Sequence, residues 1–102
     1  MSVDIIKNLA AGVLTDSAAT IYEAPEGKTV IVREIALCNT SASSVHVTFT
    51  VDGTHILCER ALDANESYFV KLNLVMPAES ILAGEAETTA VIDYYISGIE
   101  VA

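Results

Sequence analysis

The stretch Val45-His46-Val47-Thr48-Phe49-Thr50-Val51 alternates apolar and polar side chains without a break and runs straight into Asp52-Gly53. Side chains of an extended chain point to opposite faces in turn, so this alternation predicts a strand with one buried face. Asp-Gly is a favoured loop for a type I′ hairpin, because both central positions of that turn need positive φ. The pair predicts that Val51 faces Thr54, Thr50 faces His55, Phe49 faces Ile56 and Val47 faces Cys58. The rest of the chain has the same bias: 30 of its 102 residues are Val, Ile or Thr. These β-branched types lose less rotamer freedom in a strand than in a helix.

Turn chemistry divides the remainder. A short strand, Ala19 to Glu23, is closed by Pro25-Glu26-Gly27, where proline presets φ and glycine supplies a positive one. A long strand from Lys28 to Asn39 is broken by Thr40-Ser41-Ala42-Ser43-Ser44; if it pairs with Val45 to Val51 around that loop, Leu37 meets Val47 and Ile35 meets Phe49. From Ser67 to Val75, Tyr68, Val70, Leu72 and Leu74 share one face, and Phe69, Lys71 and Asn73 the other. Pro77 ends that strand, Ser80 to Ala83 forms a short one, and Ala90 to Val101 forms the last. Ile5 to Leu14 has poor helical spacing and is interrupted by Gly12, so it reads as extended. Roughly seven or eight strands with regular turn signals define an all-β chain, a single antiparallel β-sandwich of Greek-key or jelly-roll type. Residues 1–13 form an N-terminal arm or edge strand and residues 14–102 the sandwich, with Ile35, Leu37, Val47, Phe49, Ile56, Val70, Leu72 and Ile96 in its core.

Five basic residues against fourteen acidic ones give a net charge of −9. No basic stripe exists to displace counterions from phosphates, so no nucleic-acid partner is expected, and an anionic membrane surface repels such a chain. The leading residues carry Asp4 and Lys7 inside what would be the apolar stretch of a signal peptide. Unbroken apolar runs fall well short of the roughly 20 residues that span a bilayer. The expectation is a soluble protein made in a cytoplasm, with Cys38 and Cys58 as free thiols.

Two cysteines and two histidines between Cys38 and Cys58 raise the question of zinc. In the hairpin register His46 lies four residues along from Thr50, the partner of His55. At about 3.3 Å per residue that separation is too long for one ion. If Cys38 points outward and Cys58 inward, a bridge between them is disfavoured unless their strands lie in different sheets, where this argument fails. No nucleophile elbow, Ser/His/Asp grouping or Gly-rich phosphate loop is present. Glu85 with Glu87, and Asp63 with Glu66, read as solvated turn residues rather than glycosidase pairs. Weak calcium binding by loop carboxylates stays open. The reading is therefore no enzyme, no catalytic residue, no cofactor and no metal.

What the chain does need is cover. The last strand is apolar on both faces, Ile92, Tyr94 and Ile96 alternating with Val91, Tyr95, Ile99 and Val101. In the long strand Val30 and Val32 alternate with Ile31 and Ile35. So small a domain covers a second apolar face with another chain, and Tyr95, Ile99 and Val101 are the expected interface of a homo-oligomer. Phe69, Tyr95 and Tyr22 are the outward aromatic rings available to a carbohydrate ligand.

Several segments carry a resemblance. Ile21-Tyr22-Glu23-Ala24-Pro25-Glu26-Gly27-Lys28-Thr29, followed by Ile31 to Thr40 with its closing Asn39-Thr40-Ser41, resembles a recurrent pattern in small virion proteins of tailed bacteriophages. Leu62 to Glu66, Leu74 to Ile81 and Ile96 to Val101 are similar to the same proteins, so the likeness runs from about residue 14 onward. It implies a small β-sandwich that decorates or cements a capsid, or forms part of a tail or fibre. It also implies a homo-oligomer, commonly a trimer, that is made in the host bacterial cytoplasm and resides in the virion. Its partners would be the major capsid protein or tail proteins, and the family offers no catalytic residues to carry over. A tail component that binds host-surface carbohydrate is the alternative.

Overall fold

The computed structural model describes residues 6–101. The first five residues of the expected arm lie outside that range. Eight strands form: β1 (Ile6–Val13), β2 (Ala19–Glu23), β3 (Thr29–Asn39), β4 (Val45–Val51), β5 (Thr54–Leu62), β6 (Ser67–Met76), β7 (Ile81–Ala86) and β8 (Ile92–Val101). They build two four-stranded antiparallel sheets. The first has the order β1-β8-β3-β6 and the second β2-β7-β4-β5. Every connection crosses between sheets except the β4–β5 hairpin, and this order is that of an eight-stranded jelly roll.

The core lies between the sheets. Ile35, Leu37, Val47, Phe49 and Ile96 are fully buried as expected, joined by Val30, Val32, Leu62, Met76, Leu82 and Ile92. Ile56, Val70 and Leu72 pack against this cluster while partly exposed. Placing Phe49 and its buried neighbours out of water contributes on the order of 1.5–3 kcal/mol per large side chain.

Three sequence expectations are corrected. First, β3 does not pair with β4: β3 lies between β8 and β6, whereas β4 lies between β5 and β7. The polar loop after Asn39 carries the chain across the sandwich instead of folding it back. Secondly, Ile35 shares the inward face with Val30 and Val32. The registers of β3 with both neighbours shift between Val32 and Glu34, and an irregularity there reverses which face each later residue occupies. Thirdly, the hairpin register holds for Val51↔Thr54 and Thr50↔His55 but then slips, giving Phe49↔Leu57 and Val47↔Arg60. The turn itself has the predicted positive φ at Asp52 (49°) and Gly53 (83°). Glu59, at φ 45°, lies where β5 carries surplus residues against β4, and its N–H donates to Thr48 Oγ1 at 3.0 Å. Cys58 is consequently exposed, not inward.

Asn39 ends β3 as a fully buried polar hub. Its Nδ2 donates to the carbonyls of Ser43 (2.8 Å), Leu62 (3.1 Å) and Asp63 (3.2 Å). Its Oδ1 accepts from the Ser41 N–H at 3.0 Å and hydroxyl at 2.7 Å. One side chain thus joins the loop before β4 to the loop after β5.

Candidate interaction face

Strand registers place the outward side chains of the first sheet in rows that cross all four strands. One row reads Ile6, Ile99, Ile31, Val75 in the order β1-β8-β3-β6. The next reads Asn8, Ser97, Glu34, Lys71, and beyond it come Ala11, Tyr95, Ala36, Phe69. A last row holds Val13, Asp93, Cys38 and Ser67. Two apolar rows therefore flank one polar row on a face that, among the described residues, no other element covers. Ile6 is 65% exposed, Phe69 61%, Val75 58% and Tyr95 54%. Among the described residues, the exposed large apolar side chains lie on this face with the exception of Ile81.

Of the three residues singled out from the sequence, Tyr95 stands exposed in the aromatic row and Ile99 sits half-buried in the aliphatic row. Val101, partnered with Thr29, lies at the end of β8 and is also half-buried. Ile6, Val75 and Phe69 complete the face and were not assigned to it from the sequence. Phe69 carried a signal, since its alternation already placed it outward. Ile6 and Val75 join only through pairings distant in sequence. Tyr22 is not an outward platform: it is half-buried, and its hydroxyl donates to Glu100 Oε2 at 3.2 Å.

That contact belongs to a polar latch at one end of the sandwich. Glu100 on β8 also pairs with Lys7 on β1. The Lys7 hydrogen bond, with smaller help from Tyr22, holds the Glu100 carboxyl below its usual range. Burial first, and then the Glu100 charge, push the Tyr22 phenol up to about 12.

The second sheet presents a different chemistry. A shallow pocket there is lined by Asp16, His46, Thr48, Glu59, Glu85 and Glu87. Glu87 Oε1 accepts from the His46 N–H at 3.0 Å and lies 3.2 Å from its ring Nδ1. Arg60 is the one Lys or Arg on the strands of this sheet, and it lies over the Tyr68 ring, 4.3 Å from the centroid. Among the described residues, no group of three or more His, Cys, Asp or Glu is arranged to hold a metal ion. Glu66 Oε1 accepts from the Asp63 N–H at 2.7 Å, closing the turn before β6. Cys38 lies on the first sheet and Cys58 on the second, both as free thiols.

Topology and surface together define a jelly-roll domain with one outer face apolar and the other acidic. No family model matches the chain, and no curated protein matches its sequence. Among solved structures it is similar to the Drosophila NLP-core, whose crystal structure provides insight into pentamer formation and histone binding. The TM-score is 0.57 at 17% identity, covering 94% of this chain and 100% of that one. At that identity the likeness is one of fold.

Proposed function

We propose that this protein is a non-enzymatic structural component of a tailed-bacteriophage particle, acting as a decoration or cement protein on the capsid. The observation that carries the reading is the outer face of the first sheet, which no other described element covers, with Ile6, Tyr95, Phe69 and Val75 all more than half exposed. Contiguous apolar surface on a soluble domain marks a protein contact, and joining subunits recovers roughly 25 cal/mol per Å² before the costs of association. Jelly rolls are a recurrent capsid architecture, and the phage-like segments at Ile21 to Thr40 support the same assignment. A net charge of −9 keeps free subunits soluble and limits their association at low concentration. The resemblance suggests a trimer, while pentamer formation is described for the Drosophila protein. Homo-oligomerisation is the common element carried over here.

Mass spectrometry of purified particles of the encoding phage should find the protein. Tyr95→Asp combined with Ile99→Asp should leave the circular dichroism spectrum of a β-protein but abolish binding to particles that lack it. Absence from virions refutes the proposal. The exposed rings of Phe69 and Tyr95 on one face favour, as second reading, a tail module that recognises host-surface carbohydrate. Glycan-array binding lost on Tyr95→Ala would establish that reading in its place.

A further inference from the structure

Resting on the reading of this face as an assembly surface, we propose that the outer face of the first sheet pairs with the same face of a second copy. The two copies would be related by a two-fold axis running parallel to the strands between β8 and β3. The argument is one of register. Such an axis reverses the order β1-β8-β3-β6, so β1 of one copy lies over β6 of the other and β8 lies over β3, while each row meets itself.

Three of the four rows are complementary to their own reversal, and in the fourth Asp93 meets Cys38 and Val13 meets Ser67 with no like charges opposed. In the aromatic row, Ala11, Tyr95, Ala36 and Phe69 alternate small and large. Reversal sets Tyr95 over Ala36 and Phe69 over Ala11, rings into gaps. In the aliphatic row Ile99 meets Ile31 and Ile6 meets Val75. In the polar row Lys71 meets Asn8 and Glu34 meets Ser97, so no two like charges are opposed. A two-fold axis running across the strands along this row would instead set Glu34 against Glu34 and Lys71 against Lys71.

Charge points to the same occupant. Arg33, Glu34 and Lys71 line one groove of this face, which keeps it close to neutral in a chain of net charge −9. The outer face of the second sheet, with its carboxylates, repels a second copy. Four strands about 4.8 Å apart, over rows spanning about 25 Å, give roughly 1,000 Å² for the pair. That is at the low end for a stable protein contact. The dimer is therefore weak and concentration-dependent, suited to form where a particle gathers its subunits.

The full chain is examined by sedimentation velocity across the micromolar range, where a reversible monomer–dimer equilibrium is expected. Ala36→Tyr should weaken the dimer by about tenfold or more, and Ala36→Tyr with Tyr95→Ala should restore it, since the swap exchanges ring and gap on both copies. In a Cys58→Ser background, Cys38 lies beside the axis. Stacked sheets about 10 Å apart make a short bis-maleimide join two chains through it. A monomer at all concentrations, a trimer, or a swap that fails to rescue overturns the inference. A monomer that still binds particles refutes the two-fold pairing alone, whereas a swap-rescued dimer absent from virions refutes the particle assignment alone.

Discussion

Replacing Asn39 tests how the jelly roll fixes its loops. Its Nδ2 carries two protons shared among three carbonyl oxygens, and the Leu62 end of this cluster is buried. In Asn39→Ala the two donor bonds are lost at about 1 kcal/mol each, and a buried carbonyl is left without its partner for about 1 kcal/mol or more. The half-buried Ser41 hydroxyl keeps its bond to the Ser43 carbonyl, so the loss of its contact with Asn39 adds little. The sum, about 3 kcal/mol, lowers the melting temperature of a domain this size by roughly 12–24 °C. Urea unfolding gives the difference directly from the shift in midpoint at constant slope. Asn39→Asp should cost more at neutral pH, because it aims a carboxylate at the same carbonyls. That carboxyl binds its proton more tightly folded than unfolded, so the deficit relative to wild type should shrink as pH falls. An Asn39→Ala midpoint within about 0.5 kcal/mol of wild type would refute the view that this side chain ties the two loops.

Gly98 packs against the Ile31 carbonyl oxygen so closely that an added Cβ collides with backbone, and Leu9 closes the other side at 2.8 Å. Gly98→Ala should therefore cost several kcal/mol, about 3 or more, in urea, and an unchanged midpoint refutes that packing. Gly53→Val, at φ 83°, should cost on the order of 1 kcal/mol or more, read in the same assay. Maleimide labelling of the native protein should modify Cys58 faster than Cys38, the reverse of the order expected from an unbroken hairpin register. Glu100 has a lowered folded pKa, so its contribution is present above the unfolded value and lost as pH falls through the folded one. Glu100→Gln should accordingly flatten the acid limb of a stability–pH curve. The Tyr22 phenol is raised to about 12, so its contribution holds below the unfolded value near 10 and fades towards 12. Tyr22→Phe should remove an ultraviolet titration step near pH 12.

Local chemistry made the strands legible. Proline and glycine punctuate the chain at Pro25, Gly27, Gly53 and Pro77, and the alternation of Val45–Val51 and Ser67–Val75 matches the burial that is observed. The positive φ of Asp52 and Gly53 sets the first two pairs of the hairpin, but nothing in the residue types marks the slip beyond Thr50. Arg33-Glu34 did carry a signal: two adjacent charges inside an apolar strand are where β3 changes the face it buries. Which strands neighbour which was not legible, because each sheet joins segments distant in sequence and the polar loop after Asn39 suits a hairpin as well as a crossover. The same limit applies to the candidate face. Tyr95 and Ile99 could be read from β8 alone, whereas Ile6 and Val75 become their row-mates only through β1 and β6.

The position of β8 between β1 and β3 has a kinetic consequence. During synthesis β1 emerges first, yet its hydrogen-bonding partner, with Ile6 opposite Ile99, is almost the last described segment to leave the ribosome. Until then the first sheet consists of β3 and β6 alone, joined by one ladder, with the other edge of β3 unpaired. Ordering so distant a pairing makes folding slow relative to chains with local contacts. A chain that has not yet placed β8 is a hairpin-bearing partial sandwich with a loose leading strand. That intermediate is the one most exposed to strand exchange with a neighbouring nascent chain.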